Sequence, residues 1–146
     1  MPLWTYFQSV LRWAMDTFNM KKFKKIMKGL DWAKFYDEYH EKVLDIKGME
    51  KLIIDLIGDD EIQKQQGIIP YVLTGDEHYL DLRAFPDKIK LAVWEKQNHK
   101  CAICGKEFDY QFMEGDHITP WREGGRTEVK NCQMLCRECN RRKGSK

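Results

Sequence analysis

Residues 101–104 read Cys-Ala-Ile-Cys, and residues 136–139 read Cys-Arg-Glu-Cys. Two such Cys-x-x-Cys pairs supply four thiolates, the ligand set of a tetrahedral structural zinc site with Zn–S distances of about 2.3 Å. Full thiolate coordination leaves no open position for water or substrate, so we expect one structural Zn²⁺. Its ligands would be Cys101, Cys104, Cys136 and Cys139. The ion would join the beginning of a short C-terminal module to its last helix, which so small a module could hardly do with its own core.

The alternative for these cysteines is burial without a metal, which the doubled spacing disfavours. The fifth cysteine, Cys132, precedes Gln133-Met134-Leu135, which has the composition of a short strand. We therefore predict that Cys132 packs in the core and is not a ligand. His99 lies near Cys101 and could compete as a ligand, but we expect a structural role for it. The odd number of cysteines and the absence of a secretion signal argue against a disulfide framework.

The residues between the two cysteine pairs supply a second set of candidate ligands. Asp116 and His117 close a predicted strand, a Gly-Gly turn and Asn131 follow, and Asn140 comes directly after Cys139. Hydrolysis of a phosphodiester needs a base that takes a proton from water, and the imidazole of His117 has a suitable pKa. Asp116 and Asn140 offer oxygen donors, which suit Mg²⁺, with Mn²⁺ as a substitute, better than Zn²⁺. Neighbouring strand residues point to opposite faces, so a bulge or a twist must bring Asp116 and His117 to one phosphate.

This ordered set, over residues 101–143, resembles the HNH nuclease family, whose fold is a β-hairpin and a helix around a metal, the ββα-metal motif. The resemblance implies a metal-dependent DNA endonuclease. It also implies that Asn131 is a positioning residue, which holds the loop around His117; taken alone, Asn131 is also compatible with an ordinary turn. Where the third letter of the family's motif is often histidine, this sequence has Asn140. Variants of this kind resemble active members, so we interpret Asn140 as a change of ligand.

Basic residues surround the predicted site. Arg141, Arg142 and Lys143 follow Asn140, and Arg122 and Arg126 flank the Gly-Gly turn. We expect these five side chains to bind DNA phosphates next to the cut, with little dependence on base sequence. The net charge of +2 would not by itself indicate nucleic acid. A basic tail can also be merely solvated, but its position beside the metal motif favours the binding role.

The sequence before the cysteines is mainly helical. Apolar residues recur every three or four positions over residues 1–20, from Asp31 onward, and after Gly48 as far as Gly58. The run 68–73 is interrupted by Pro70, and residues 74–76 have the composition of a turn. Another helix opens at Pro86 and Asp87. The predicted fold class is therefore α+β: a helical N-terminal region, residues 1–83, followed by an HNH module, residues 84–146.

Three segments of the N-terminal region, 13–18, 27–36 and 73–85, are similar to the sequence that precedes HNH modules in bacterial restriction-like defence proteins. Those proteins carry an N-terminal ParB-like domain. The resemblance implies that residues 1–83 are the end of a larger domain, which would pack on a partner domain missing here. It further implies a role in restriction-like or antiviral defence.

We predict that the enzyme hydrolyses phosphodiester bonds of DNA, one strand per active site. Double-strand cleavage would then require a homodimer or two successive nicks. No apolar run approaches the roughly 20 residues of a membrane span, so a cytoplasmic protein is expected. The alternative function is a non-catalytic zinc module that binds DNA. The simultaneous presence of Asp116, His117, Asn131 and Asn140 favours the enzyme.

Overall fold

The computed structural model describes residues 2–144, so residues 145 and 146 of the predicted HNH module lie outside the described residues. The chain divides into two compact units, of which the first ends at Leu82 and the second begins at Arg83. Within residues 2–144 there are seven α-helices and one two-stranded antiparallel sheet, the α+β class that the sequence predicts. None of the helices in this range combines the length and the apolar character needed to cross a membrane.

Helices α1 to α5 build the first unit; they are α1 (Leu3–Thr17), α2 (Met20–Met27), α3 (Trp32–Tyr39), α4 (Ile46–Ile57) and α5 (Ile68–Thr74). α1 packs against α3, where the ring of Trp13 meets those of Trp32 and Tyr36 edge to face. α5 packs against α4 and completely buries Ile68 and Ile69. The core of this unit is therefore made by apolar faces of helices, as the periodicity predicts.

Polar caps set the helix boundaries in this unit, and two predicted boundaries were wrong. The helix predicted over residues 1–20 stops at Thr17, because the side chain of Asn19 accepts hydrogen bonds from two backbone N–H groups of α2 and starts a new helix. α4 begins at Ile46, ahead of Gly48, because Asp45 accepts a hydrogen bond from the N–H of Gly48 at 3.0 Å. Asp31, where the second apolar pattern begins, caps α3 by accepting a hydrogen bond from the N–H of Lys34.

The apolar run beginning at Ile68 is a helix, although Pro70 suggested a break. Pro70 lies in the first turn of α5. The N–H groups of a first turn have no carbonyl partner within the helix, so a residue without an N–H costs nothing there. The positive φ of Gly75 then ends the helix.

The second unit is a β-hairpin held between two helices, α6 (Asp87–Lys96), β1 (Met113–His117), β2 (Cys132–Cys136) and α7 (Arg137–Gly144). Met113 lies opposite Cys136, and His117 lies opposite Cys132, in an unbroken antiparallel register. α6 packs on β2, and α7 contacts both strands. The predicted strands and the helix that opens at Asp87 are confirmed.

Cysteines form a large part of the core of this unit. Its buried residues are Phe85, Val93, Cys101, Met113, Cys132, Met134, Leu135, Cys136 and Cys139. Burial raises the pKa of the Cys132 thiol to about 11, so this side chain is a neutral packing group, as predicted. Because four of these nine core residues are cysteines, the stability of this core depends on the chemical state of their thiols.

The outer edge of β2 is closed by the side chain of Gln97. Its amide donates to the carbonyl of Met134 at 2.9 Å and accepts from the N–H of the same residue at 2.9 Å. The N–H of Ala102 also donates to that carbonyl, at 3.1 Å. A side chain and a loop thus take the place of a third strand and satisfy backbone groups that a sheet edge would leave exposed.

Candidate active site

The four predicted zinc ligands come together at the beginning of α7. The Sγ atoms of Cys101, Cys104, Cys136 and Cys139 all lie within 4.8 Å of one another. In a tetrahedral site with Zn–S distances of about 2.3 Å, the sulfur atoms would be about 3.8 Å apart. Three of the four side chains are buried, and Cys104 is exposed. This donor set fits a structural zinc ion.

Backbone N–H groups point at the sulfur atoms of this cluster. The N–H of Ile103 lies 3.4 Å from Sγ of Cys101, and the N–H of Cys139 lies 3.5 Å from Sγ of Cys136. Burial alone would raise the pKa of Cys101, but hydrogen bonds from backbone N–H groups lower it to about 6. Hydrogen bonding to Cys136 raises the pKa of Cys139 to about 12. The cluster therefore both stabilises one thiolate and holds a proton that a metal ion would displace.

His99 takes no part in the cysteine cluster. Its ring stacks on Trp94, with ring centroids 3.7 Å apart, and its Nε2 lies 3.3 Å from a carboxylate oxygen of Glu95. The structural role predicted for His99 is confirmed.

One face of β1 carries two carboxylates that meet polar side chains of α7. Glu114 and Asp116 are two residues apart and therefore share a strand face. Asn140 and Lys143 are three residues apart and share a helix face. The amide nitrogen of Asn140 donates to Glu114 at 2.9 Å, and the ammonium group of Lys143 forms an ion pair with Asp116. Lys143 also donates to the carbonyl of His117 at 3.0 Å.

Asp116 is the carboxylate best suited to hold a cation. The same oxygen that meets Lys143 accepts a hydrogen bond at 2.9 Å from Gln133, the residue opposite in β2. Its side chain is 20% exposed, so the charge is partly shielded but accessible. The ammonium group shows that this oxygen attracts a positive charge. Glu114 and the side-chain carbonyl of Asn140 are further oxygen donors on the same faces of β1 and α7, and oxygen is the ligand atom that Mg²⁺ prefers.

The bulge predicted from the sequence as a way to bring Asp116 and His117 together is absent from β1. The register is unbroken, so His117 leaves the strand on the face opposite to Asp116. Its ring packs on Phe85, with centroids 4.1 Å apart, and its Nε2 lies 3.0 Å from the hydroxyl oxygen of Thr127. That hydroxyl donates to the carbonyl of Arg83 at 3.4 Å. A hydroxyl that donates in this way can accept through its oxygen, which suits the tautomer with the ring proton on Nε2 and the lone pair on Nδ1.

Asn131 is buried and fixes the loop that follows His117. Its side-chain oxygen accepts from the N–H of Thr119 at 2.7 Å. Its amide nitrogen donates to the carbonyls of Thr119 and Arg126 at 3.1 and 2.8 Å. Its own carbonyl accepts from the N–H of Ile118 at 2.9 Å. This is the loop-holding geometry that the family resemblance implies for Asn131.

The Gly-Gly turn lies against the same loop. The N–H of Gly125 donates to the carbonyl of Pro120 at 3.0 Å, and a Cβ atom at position 125 would clash with the backbone oxygen of Thr119. Only glycine allows this approach. The turn therefore packs the 119–126 loop tightly enough for one asparagine side chain to bridge it.

The five residues predicted to bind phosphates fall into two groups. Arg122, Arg126, Arg141 and Arg142 are exposed. Arg142 forms an ion pair with Glu138, one helical turn away, at 2.6 Å. Lys143 is half-buried and bound to Asp116, so its ammonium group lies inside the site and not on the outer face of α7.

Sequence reasoning does not single out Glu114, Gln133 or Thr127. The spacing of Glu114 and Asp116 could have indicated a shared strand face. Gln133 becomes a partner of Asp116 only once the hairpin register is known. Nothing in the sequence marks Thr127, which reaches His117 from a loop ten residues further along the chain.

Comparison with known proteins agrees with this site. A family model described as HNH endonuclease matches residues 101–146. The CRISPR-associated endonuclease Cas9 of Corynebacterium diphtheriae is 36% identical over 52 residues, which are 35% of this chain and 5% of that protein. The chain thus covers about a twentieth of the length of that relative. No solved structure matches the chain. The segment that brings together the cysteine cluster, the β-hairpin and α7, residues 101–146, carries an HNH endonuclease domain.

Proposed function

We propose that this chain hydrolyses phosphodiester bonds of DNA at its HNH domain. The observation that carries the proposal is the arrangement around β1. There an imidazole anchored through Nε2 and a carboxylate that already attracts a cation occupy adjacent positions, His117 and Asp116. A base and a cation site are the two requirements of metal-assisted phosphodiester hydrolysis. Because the two side chains leave opposite faces of β1, the phosphate must lie across the end of the strand to meet both.

His117 is the proposed general base. Phe85 supports its ring, and Thr127 holds the proton on Nε2, so Nδ1 accepts the proton of the attacking water. The oxygen of that water forms a bond to phosphorus while the bond from phosphorus to the leaving oxygen breaks. Asn131 is the positioning residue that keeps the loop after His117 in place.

Asp116 and Asn140 are the proposed ligands of a catalytic Mg²⁺, for which Mn²⁺ can substitute, and Glu114 adds a second carboxylate beside them. When bound there, the ion neutralises negative charge on the phosphate and on the leaving oxygen. Lys143 contributes a further positive charge next to Asp116. The amide nitrogen of Asn140 is the atom that meets Glu114, so the metal-binding role falls to its carbonyl oxygen.

Four exposed arginines, Arg122, Arg126, Arg141 and Arg142, are proposed to bind the phosphates on either side of the cut. Contacts of this kind position the duplex without reading its sequence.

The cysteine cluster is proposed to hold a structural Zn²⁺. Each site cuts one strand, so a double-strand break requires a homodimer or two nicks. The relative's description as CRISPR-associated supports a role in defence, exerted in the cytoplasm.

The test is the nicking of supercoiled plasmid in Mg²⁺, in Mn²⁺ and in EDTA. We expect nicking in both metals and none in EDTA. His117→Ala should reduce the rate by at least about 100-fold, the contribution typical of a general base. Asp116→Asn and Asn140→Ala should raise the Mg²⁺ concentration that gives half the maximal rate.

Matched controls are available in the same chain. His78→Ala removes an exposed imidazole, and Asp109→Asn an exposed carboxylate, neither of which belongs to the site. Both should leave the rate and the Mg²⁺ dependence unchanged, and zinc content measured by mass spectrometry should be equal in all variants. DNA binding without nicking by the unmodified protein would replace the nuclease by a non-catalytic DNA-binding module.

A further inference from the structure

The first unit carries a lysine-rich surface that the proposed chemistry does not use. Residues 20–28 contain five lysines and no acidic residue. Within α2 the apolar residues Phe23, Ile26 and Met27 are buried, which turns the lysines outward. Lys22 pairs with Glu50 at 2.7 Å. Among residues 2–144 no carboxylate pairs with the other members of the run, Lys21, Lys24, Lys25 and Lys28.

Two adjoining grooves open along this surface. The larger, about 640 Å³, is lined by the lysines of α2 together with Ile57, Gln65 and Gln66. The smaller, about 460 Å³, is lined by Lys28, Lys34, Lys64, Asp31 and Tyr79 among others. Gln66 lines both grooves, so the positive charge continues from one into the other.

The acidic residue of the smaller groove, Asp31, offsets only one of its three lysine charges. Asp31 accepts a hydrogen bond at 3.3 Å from the backbone N–H of Lys34 and caps α3. The ammonium group of Lys34 lies 3.4 Å from the hydroxyl of Tyr79, and this hydrogen bond raises the pKa of Lys34. The groove thus presents three cations and one phenol hydroxyl, all suited to phosphate oxygens.

We propose that this lysine face, formed by Lys21, Lys24, Lys25, Lys28, Lys34 and Lys64, binds the phosphate backbone of double-stranded DNA. The inference rests on the proposed function, which makes DNA the substrate of the HNH domain. A duplex carries about one negative charge per 1.7 Å of its axis. Seven residues of helix span roughly 10 Å, so the stretch from Lys21 to Lys28 faces several phosphates. Lysine ammonium groups act as point charges, so the contact is independent of base sequence.

An anionic membrane is the other polyanion that a basic helix can meet. Amphipathic helices bind membranes by inserting their apolar face between lipids. The apolar face of α2 is committed to the unit's own core, since Phe23, Ile26 and Met27 are only 3–7% exposed. The exposed surface of α2 therefore carries positive charge but no apolar face that could insert between lipids, and this favours nucleic acid over a membrane as the partner.

The test compares two triple variants that remove equal charge from the first unit. Lys21→Gln/Lys24→Gln/Lys25→Gln alters the lysine face. Lys42→Gln/Lys47→Gln/Lys51→Gln alters exposed lysines elsewhere, two of them beside Glu50 and Asp55. Both triples are placed in a His117→Ala background so that the DNA stays intact. The affinity for a fluorescent duplex of about 30 base pairs is then measured by anisotropy over a range of salt concentrations.

Loss of three phosphate contacts should make the plot of the logarithm of the association constant against the logarithm of the salt concentration less steep, by about 2 to 3 in slope. It should also weaken binding by about tenfold or more at 0.15 M salt. The control triple should change affinity by less than about twofold. Equal losses in the two triples, or no loss in either, would overturn the proposal. So would tighter binding to phosphatidylserine vesicles than to the duplex.

A charge-conserving triple, Lys21→Arg/Lys24→Arg/Lys25→Arg, separates charge from folding. It should bind like the parent protein; a loss of binding equal to that of the glutamine triple would contradict the proposal. The plasmid assay is scored separately. Binding that depends on the lysine face, without any nicking, would refute the proposed function and leave this inference standing. Nicking by a protein whose DNA affinity does not depend on the lysine face would refute this inference and leave the proposed function standing.

Discussion

His117, the proposed general base, shows how a single neighbouring side chain can influence which ring nitrogen carries the proton. The imidazole can carry its proton on either nitrogen, and the two forms present different atoms to the substrate. Thr127 accepts from Nε2 because its own hydroxyl proton points to the carbonyl of Arg83. We propose that this contact favours, before substrate binds, the tautomer that takes a proton through Nδ1.

We predict that Thr127→Val lowers the nicking rate by about tenfold, the equivalent of one hydrogen bond of about 1.4 kcal/mol. Valine has nearly the shape of threonine but cannot accept the proton of Nε2. Thr127→Ser keeps the hydroxyl and should restore the rate. Both variants are compared in plasmid nicking at several pH values, together with zinc content and Mg²⁺ dependence. A valine variant with full activity, or a serine variant as slow as valine, would remove Thr127 from this role.

The side chain of Lys143 lies inside the candidate site, although its neighbours in the sequence form an exposed basic run. Its place in a basic run predicts an outward side chain that binds DNA. In the structure its ammonium group pairs with Asp116, because both residues lie on the faces at which α7 and β1 meet. A charge on an exposed helix is solvated at little cost, whereas a half-buried carboxylate needs a partner. Neighbouring residues in the sequence can therefore have different roles.

At the scale of elements, the segment before β1 is tied to α6 by one short hydrogen bond. The hydroxyl of Tyr110 donates to Asp87, in the first turn of α6, at 2.5 Å. Burial and this bond raise the pKa of Tyr110 to about 12, and the same bond lowers the pKa of Asp87. The bond thus links the beginning of the helix to the chain that leads into the hairpin.

We predict that Tyr110→Phe lowers the melting temperature at neutral pH by a few degrees and removes part of its pH dependence. A raised tyrosine pKa stabilises the fold fully below the ordinary value of 10.0 and loses this effect as pH rises towards about 12. A lowered aspartate pKa stabilises above the ordinary value of 3.8, and the effect disappears as pH falls through the lowered value.

The difference in melting temperature between the unmodified protein and Tyr110→Phe should therefore be largest between about pH 5 and pH 9 and should shrink at both ends. It is measured by circular dichroism from pH 3 to pH 12. Lysines titrate equally in both proteins and cancel in the difference. A difference that stays constant across this range would show that lost packing, and not the hydrogen bond, is responsible.

At the scale of the whole molecule, the two metals proposed here do different work. The catalytic Mg²⁺ would lie among side chains whose positions the hairpin and α7 already fix. Three of the proposed zinc ligands, Cys101, Cys136 and Cys139, are members of the core of the second unit. Four clustered thiols, three of them in an apolar core, hold together poorly unless an ion binds them, so we expect folding and zinc binding to be coupled in this unit.

We predict that Cys101→Ser, or removal of zinc by a strong chelator, unfolds the second unit and leaves the first unit folded. Five of the seven helices within residues 2–144 belong to the first unit, so most of the helical signal in circular dichroism should persist. Cys132→Ser, a matched change outside the ligand set, should retain zinc. Withdrawal of Mg²⁺ should stop nicking without any change in the spectrum. A folded, zinc-free second unit would contradict the coupling.

The sequence alone determined the class of fold and the presence of an HNH domain in residues 101–146. The paired cysteines, the Asp116–His117 step, Asn131 and Asn140 indicate an HNH module because ligand type and spacing along the chain are local properties. Helix periodicity indicates a helical first unit for the same reason. Helix boundaries were less secure, since a capping side chain such as Asn19 or Asp45 competes with the apolar pattern over a few residues.

Only the tertiary structure decided which atoms meet. It brought Thr127 into contact with His117, and Gln133 and Lys143 into contact with Asp116. It joined Glu114 to Asn140 by a hydrogen bond. It also turned the lysines of α2 outward by burying the other face of the helix. These contacts join residues from different strands, helices and loops, and their geometry follows from register and packing. The sequence lists the groups available for chemistry, and the packing of the hairpin between two helices selects their partners.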